Sequence, residues 1–344
     1  MSTSFASNLE DLGARYRPLV QQEMRAVIGD TPTGLYAWMR YHLGWEDRAG
    51  QPVTASPGKM LRPLALLLAT ELCGGRAEAA LPAAAAVELI HNFSLLHDDV
   101  EDRSDTRRGR DTVWTFAGVA QAINAGDGMF TLAHLAMYRL DAAGAEPARV
   151  LAASRELHEA CLALVEGQYL DISFEERADV TLPEYLSMAG GKTAAMFAAP
   201  FAIGALLAGA SPEVVNAYRE FGRRIGLAFQ AVDDVLGIWG DPAVTGKPVG
   251  DDLASRKMTY PVIVAMAGAE GARLRAAYED RAGASADVPA LRALVEAGDA
   301  RAVTEAMTAA EERAALDSLR AAGVDENAMR LCTEFARILV GRDF

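Results

Sequence analysis

Cysteine is scarce: Cys73, Cys161 and Cys332 are the three in 344 residues, far apart in the chain and without metal-ligand spacing. An odd, scattered set of this kind excludes a disulfide framework and a zinc site, and fits a reducing compartment. The N-terminal stretch MSTSFASNLEDLGARY has no basic segment followed by an apolar one, and no apolar run reads as long enough to cross a bilayer. A soluble, cytoplasmic chain with no membrane span is expected. Alternating β-branched segments are few, and there is no HExxH, no zinc-spaced Cys and His set and no glycine-centred serine nucleophile. The GKT at 191–193 lacks the upstream glycine and the preceding strand of a P-loop, so a nucleotide-binding reading fails. Positive charge is also in deficit, with 33 Lys and Arg against 47 Asp and Glu and a net charge of −14. A nonspecific grip on nucleic acid or on an anionic membrane surface would work against overall repulsion, so no nucleic-acid partner is expected. Any phosphate-bearing ligand needs a local basic pocket.

What the chain has in quantity is helix-forming residues. Hydrophobic residues make up 51%, and alanine, leucine, glutamate and arginine dominate, with apolar positions recurring at three- and four-residue intervals. The fold class is all-α. The spacing predicts helices over 7–27, 59–72, 82–102, 116–139, 147–172, 192–209, 212–238, 257–269, 299–319 and 323–341, with short helices in some gaps. Glycine, proline and charge interrupt the pattern at 43–57, 103–111 and 239–256. With no repeat of fixed period and no linker rich in Pro, Gly or Ser, one large helical bundle spanning 1–344 is the simplest organisation.

Two acidic clusters sit where helix physics disfavours them. The segment LPAAAAVELIHNFSLLHDDVED reads as an apolar helix whose C-terminal end carries Asp98, Asp99, Glu101 and Asp102. That end already bears partial negative charge, so the carboxylates oppose the helix dipole and each other. The segment EFGRRIGLAFQAVDDVLGIWGDP repeats the arrangement with Asp233 and Asp234 ahead of Gly237, Gly240 and Pro242. A lone Asp-Asp pair would read as solvated surface, and an N-cap is the commoner structural use of Asp. Neither 103–111 nor 239–256 shows apolar helical periodicity, so there is no evident helix for these residues to cap. Asp98 and Asp102 are four residues apart, hence about 40° apart around a helix and ~6 Å along it, while Asp99 points about 100° away. Hard oxygen ligands suit Mg²⁺, which takes one or two carboxylates and completes its shell with water and phosphate oxygens. The ligand expected from this pairing is a diphosphate.

Basic residues lie nearby in sequence: Arg107 and Arg108 follow the first cluster, with Lys59 and Arg62 in GKMLRP, Lys192 in GGKTAAMF, Lys247 in TGKPVG and Lys257 in RKMTYP. Guanidinium groups match phosphate oxygens bidentately, although each basic residue taken singly reads as a solvated one. His97 reads as a packed or hydrogen-bonded helix residue, not a ligand.

The ordered set resembles the trans-prenyl diphosphate synthase (polyprenyl synthetase) family, from about residue 20 onward. DDxxD followed by RRG matches Asp98, Asp99, Asp102, Arg107, Arg108 and Gly109; GKxxRP matches 58–63, KT matches Lys192 and Thr193, and FQxxDD matches Phe229 to Asp234. The resemblance implies an isoprenoid-synthase-type helical bundle with a central active-site cavity, a homodimer, and a prenyltransferase that joins isopentenyl diphosphate to an allylic diphosphate. It implies that Lys59, Arg62, His91 and Arg108 hold the diphosphate of isopentenyl diphosphate, and that Arg107, Lys192, Thr193, Gln230, Lys247 and Lys257 surround the allylic diphosphate. Asp98, Asp102 and Asp233 would coordinate Mg²⁺, three ions in all, with Asp99 and Asp234 completing the catalytic carboxylates. Ionisation of the allylic substrate, attack by the isopentenyl double bond and proton loss would follow, with released pyrophosphate as the base. Two positions depart from the family pattern: Gly237 where many members have a third aspartate, and Asp111 in place of a proline after RRGx.

Residues just before the first motif form part of the tail pocket in this family. Phe93 and Ser94, five and four residues before Asp98, resemble the pattern of synthases making the twenty-carbon geranylgeranyl diphosphate, although Phe93 also reads as an ordinary core aromatic. The fifteen-carbon farnesyl diphosphate and longer products are the alternatives. A terpene cyclase would share the helices and first motif without needing Lys59, Arg62, His91 and Arg108, and a noncatalytic partner subunit would be expected to lose part of the charged set.

Overall fold

The computed structural model describes residues 8–32, 34–53, 58–241, 249–280 and 287–341. Long helices follow the three- and four-residue periodicity: α1 (Leu9–Ile28), α2 (Gly34–His42), α3 (Leu61–Leu72), α4 (Leu81–Glu101), α5 (Val113–Ala117), α6 (Val119–Ala142), α7 (Pro147–Phe174) and α8 (Leu182–Ala189). After a π-helical turn at Gly190–Ala194 come α9 (Ala195–Ala208), α10 (Pro212–Trp239), α11 (Asp251–Ala254), α12 (Tyr260–Met266), α13 (Gly271–Glu279), α14 (Val288–Glu296), α15 (Ala300–Ala321) and α16 (Glu326–Val340). Among the described residues the one sheet is a two-stranded hairpin, β1 (Thr106–Arg107) and β2 (Arg110–Asp111).

Internal contacts divide the chain into two units, Met1–His158 with Pro200–Val215 and Glu159–Ala199 with Asn216–Phe344. In the first, α4 is the axis. Its run Ala83 to Ala86 is fully buried, and α1, α3 and α6 pack around it. Small side chains there permit close helix approach while Leu89, Ile90, Phe93 and Leu96 supply apolar bulk. In the second unit a core of Phe174, Tyr185, Ile238, Met258, Val262, Tyr278 and Val295 ties α8, α12, α13 and α14 together.

Several boundaries differ from expectation. Helices at 34–42, 182–189, 271–279 and 288–296 were not among the periodic segments, being only eight or nine residues long. α8 begins on a capping box in which Thr181 and Glu184 exchange hydrogen bonds. The second acidic cluster is not at a helix end: α10 runs through Gly237 to Trp239, so Asp233 and Asp234 lie more than a turn inside it. The 239–256 interruption contains the short α11, and 103–111 contains the hairpin. Two helical stretches, Ala77–Glu101 and Leu182–Ala208, are long and apolar enough to span a bilayer, against the expectation that none would be; 72% and 67% of their apolar windows are buried within the protein. They serve as core helices.

One backbone contact fixes the second unit's site. A Cβ on Gly167 would fall 2.1 Å from the Lys192 nitrogen, and one on Gly191 2.4 Å from the Ala163 carbonyl oxygen, so α7 and the π turn touch main chain to main chain. Gly190, by contrast, has nothing within 4 Å of its Cβ position. Gly191→Ala should therefore destabilise the fold by about 1–3 kcal/mol through overpacking, whereas Gly190→Ala should stabilise it by roughly 0.5–1 kcal/mol through chain entropy. Urea midpoints of the two variants against the parent would check the opposite signs.

Candidate active site

In the first unit, α4 delivers three aspartates with different surroundings. Asp98 is half-buried and Asp102, the C-cap, is exposed, whereas Asp99 is 1% exposed. Asp99 Oδ1 accepts from Arg107 Nε at 2.7 Å, and its Oδ2 is buried without a hydrogen-bond partner among the described residues. Burial raises the Asp99 carboxyl above its ordinary range, against the pull of Arg107.

Arg107 reaches Asp99 because of the turn that follows it. Thr106 pairs with Asp111 and Arg107 with Arg110, leaving a two-residue loop in which Arg108 and Gly109 have φ of 52° and 71°. Positive φ at both central residues is the hairpin turn whose twist matches its strands, and it costs a side chain at the first position strain that glycine would not feel. The Arg108 guanidinium lies over Gly58, 3.4 Å from where a Cβ would be, and makes no hydrogen bond or ion pair among the described residues. Arg110 is used structurally: it donates to the carbonyls of Tyr41 (2.7 Å) and Glu46 (2.8 Å) and stacks on the Tyr41 ring. Asp111, the departure from the family pattern, pairs with Arg48, whose guanidinium covers Phe116, while its carbonyl accepts from the Tyr41 hydroxyl at 2.9 Å. It ties the hairpin to the segment after α2.

Lys59 is exposed ahead of α3, and its carbonyl accepts from Arg17. Arg62 Nη1 lies 3.5 Å from His91 Nε2, and burial, then Arg62 and Arg108, hold the His91 ring well below its ordinary pKa, hence neutral. Phe93 is 8% exposed, edge-on to Phe130 at 4.9 Å and to His97 at 5.5 Å. The Ser94 hydroxyl is turned onto the His91 carbonyl. His97 donates to the Ile123 carbonyl at 3.2 Å in space left by Gly126, the packed role expected of it.

The second unit gathers the other motif residues. Lys192, in the π turn, pairs with Asp171 on α7, a residue no motif pointed to. Burial would push Asp171 up, but Lys257 and Lys192 outweigh it and hold the carboxyl below its usual range. Thr193 donates to Gln230 Oε1 at 2.6 Å, and Gln230 Nε2 donates to Asp234 Oδ1 at 3.0 Å. Asp234 Oδ2 accepts from the Tyr185 hydroxyl at 2.5 Å and from the Tyr260 backbone N–H at 2.8 Å. Asp234 is therefore consumed internally, while Asp233 beside it is half-buried. Gly237 is explained by Asp252: a Cβ at Gly237 would fall 1.9 Å from Asp252 Oδ2, so the carboxylate of a later residue occupies the space of the missing side chain. Lys247 lies outside the described residues.

Among the described residues no three His, Cys, Asp or Glu groups converge as a metal cage. Taken within each unit, half-buried Asp98 and exposed Asp102 on α4, and half-buried Asp233 on α10, are carboxylates of the kind Mg²⁺ accepts, since it needs few protein ligands when phosphate oxygens supply the rest. Comparison with known proteins gives the same class. The polyprenyl synthetase family model matches residues 45–295. The (2E,6E)-farnesyl diphosphate synthase of Mycobacterium tuberculosis is 44% identical over 308 residues, 88% of this chain and 84% of the relative. The geranylgeranyl diphosphate synthase of the same organism is 45% identical over 259 residues, 74% and 73% of the two chains. The crystal structure of a polyprenyl synthetase from Streptomyces coelicolor A3(2) superposes with a TM-score of 0.89 at 38% identity, covering 97% of this chain and 100% of that one. The chain belongs to the polyprenyl synthetase family. It has the all-α isoprenoid synthase fold and is a prenyl diphosphate synthase, an alkyl-group transferase of a Mg²⁺-dependent class that joins isopentenyl and allylic diphosphates.

The turn geometry separates stability from charge. Arg108→Gly should raise folding stability by up to about 1 kcal/mol by relieving the left-handed residue, and Gly109→Ala should lower it by about 1 kcal/mol. Thermal unfolding of both variants would test the pair.

Proposed function

We propose that Asp98, Asp102 and Asp233 coordinate the Mg²⁺ ions, three per site, and that the product is geranylgeranyl diphosphate. The observation that supports the metal assignment is a shared division of labour. In each cluster one carboxylate is buried and held by the protein, Asp99 by Arg107 and Asp234 by Tyr185, Gln230 and the Tyr260 N–H, while Asp98 and Asp233 beside them are only half-buried. Bound Mg²⁺ would supply electrostatic stabilisation of the departing pyrophosphate. Around it Arg107, Lys192, Thr193, Gln230 and Lys257, with Lys247, hold the allylic diphosphate, and Lys59, Arg62, His91 and Arg108 hold that of isopentenyl diphosphate. Of these, the lysines and arginines around the allylic diphosphate stabilise the negative charge that develops as the allylic C–O bond breaks. Proton loss after condensation is assigned to the released pyrophosphate and to no side chain.

The length assignment rests on Phe93, a nearly buried ring braced by Phe130 one turn and a half before Asp98, with the small Ser94 beside it. A fifteen-carbon product is the second reading, favoured by the 44% identity to a farnesyl diphosphate synthase across most of both chains. We further propose a cytoplasmic homodimer without a membrane span, the whole chain acting as one synthase domain. α6 exposes Val119, Ile123, Leu135 and Tyr138, and α7 exposes Leu151, Leu162, Val165, Tyr169 and Ile172. Apolar stripes of that extent suit burial against a second copy.

Purified protein incubated with isopentenyl diphosphate and dimethylallyl, geranyl or farnesyl diphosphate, with Mg²⁺ or chelator, should give a twenty-carbon diphosphate only when Mg²⁺ is present. Asp98→Asn and Asp233→Asn should each lower kcat by about 10²-fold or more, and Phe93→Ala should lengthen the product. A fifteen-carbon end point would overturn the length assignment alone; cyclic hydrocarbon from a single diphosphate would overturn the synthase assignment.

A further inference from the structure

His42 closes α2 and belongs to no motif. It lines a cavity of ≈ 340 Å³ together with Tyr41, Gly58, Asp99, Arg107, Arg108 and Arg110. The cationic wall of that cavity is unequally committed. Arg107 is taken by Asp99, and Arg110 by the carbonyls of Tyr41 and Glu46, which leaves Arg108 as the guanidinium with no partner among the described residues. An anion entering the cavity therefore meets Arg108 and the imidazole of His42.

Behind the imidazole stands a buried polar relay. Glu88, His91 and Asn92 occupy one face of α4 at i, i+3 and i+4. Asn92 Nδ2 donates to the Glu88 carbonyl at 2.8 Å and to its carboxylate at 3.1 Å, and both residues are at least nine-tenths buried. That fixes the amide orientation, so the Asn92 oxygen is what it offers to His42; burial, then Arg107, Arg108 and Arg110, hold the His42 ring down to about 3, hence neutral, against the pull of that oxygen. Glu88 also lies in the field of Arg62 and Arg108; burial pushes its carboxyl up to about 7 against their pull. A carboxyl group buried among the residues expected to hold a diphosphate has no packing purpose that glutamine or leucine would not serve better. Its use is to fix the orientation of Asn92, and through it of His42, and to face Arg62.

We infer that His42 is a further ligand of the diphosphate of isopentenyl diphosphate, with Glu88 and Asn92 as the residues that position it. The inference rests on the assignment of Lys59, Arg62, His91 and Arg108 to that diphosphate. With its one N–H turned to the Asn92 oxygen, the neutral imidazole presents a lone pair on its second nitrogen to the cavity beside Arg108, where it accepts from the protonated oxygen of the hydrogen diphosphate while Arg108 holds an unprotonated one.

Steady-state kinetics of the full-length enzyme, varying each substrate separately, tests this. His42→Ala should raise KM for isopentenyl diphosphate by about ten- to hundred-fold, the loss of one charge-assisted hydrogen bond, and leave KM for the allylic diphosphate within about two-fold. Glu88→Gln should raise the same KM by a smaller factor. If His42→Ala does not fold, His42→Gln, which retains an N–H for Asn92 and loses the second ring nitrogen, should show the same selective rise. Lys59→Ala is the reference. If it raises KM for isopentenyl diphosphate while folded His42 variants leave it unmoved, or move both KM values together, this inference falls and the site assignment stands. If Lys59→Ala leaves that KM unmoved as well, the assignment falls and the inference with it.

Discussion

Like charges crowded at the ends and flanks of apolar helices repel one another, and that repulsion is the constraint around which both motif regions are built. The molecule meets it by taking one carboxylate of each pair out of competition. Asp99 is drawn under the hairpin by Arg107, and Asp234 gives both its oxygens to donors from α8, α10 and the start of α12. The buried member then acts as a structural anion, while Asp98 and Asp233 beside it are only half-buried. In the second unit the same anion recruits Gln230 and, through it, Thr193, so the residues proposed to hold the allylic diphosphate are organised by a buried carboxylate.

The all-α class and the long helices were legible because a three- and four-residue apolar rhythm survives over twenty residues, as in α1, α4 and α10. Helices of eight or nine residues, such as α8 and α14, hold too few turns for that rhythm to stand out and depend on caps and tertiary burial. The acidic clusters were legible because aspartates in an apolar helix are locally anomalous. Asp171 and Asp252 were not, since nothing around Asp171 in GQYLDIS marks it, and Asp252 matters only because Gly237 leaves it room. Glu88 hides for the opposite reason: a single glutamate in a helix is unremarkable until its burial is known.

Backbone proximity is a second organising element. Gly167 and Gly191 bring α7 within van der Waals touch of the π turn, and the wider turn sets Lys192 and Thr193 at their positions. Sequence exposes the glycines but not which atoms they admit. The pair Gly190 and Gly191 shows the difference, one facing open space and the other a carbonyl.

On the role proposed for Lys192, holding the allylic diphosphate, its ion pair with Asp171 gives the cycle a resting state. An ammonium that already has a carboxylate partner is won by an incoming anion only in competition, so the grip on that anion is weaker than an isolated lysine would give. The same competitor is waiting when the anion leaves. Turnover depends on letting pyrophosphate go as much as on holding it, and a built-in substitute counter-ion allows departure without stranding a positive charge in a half-dry site.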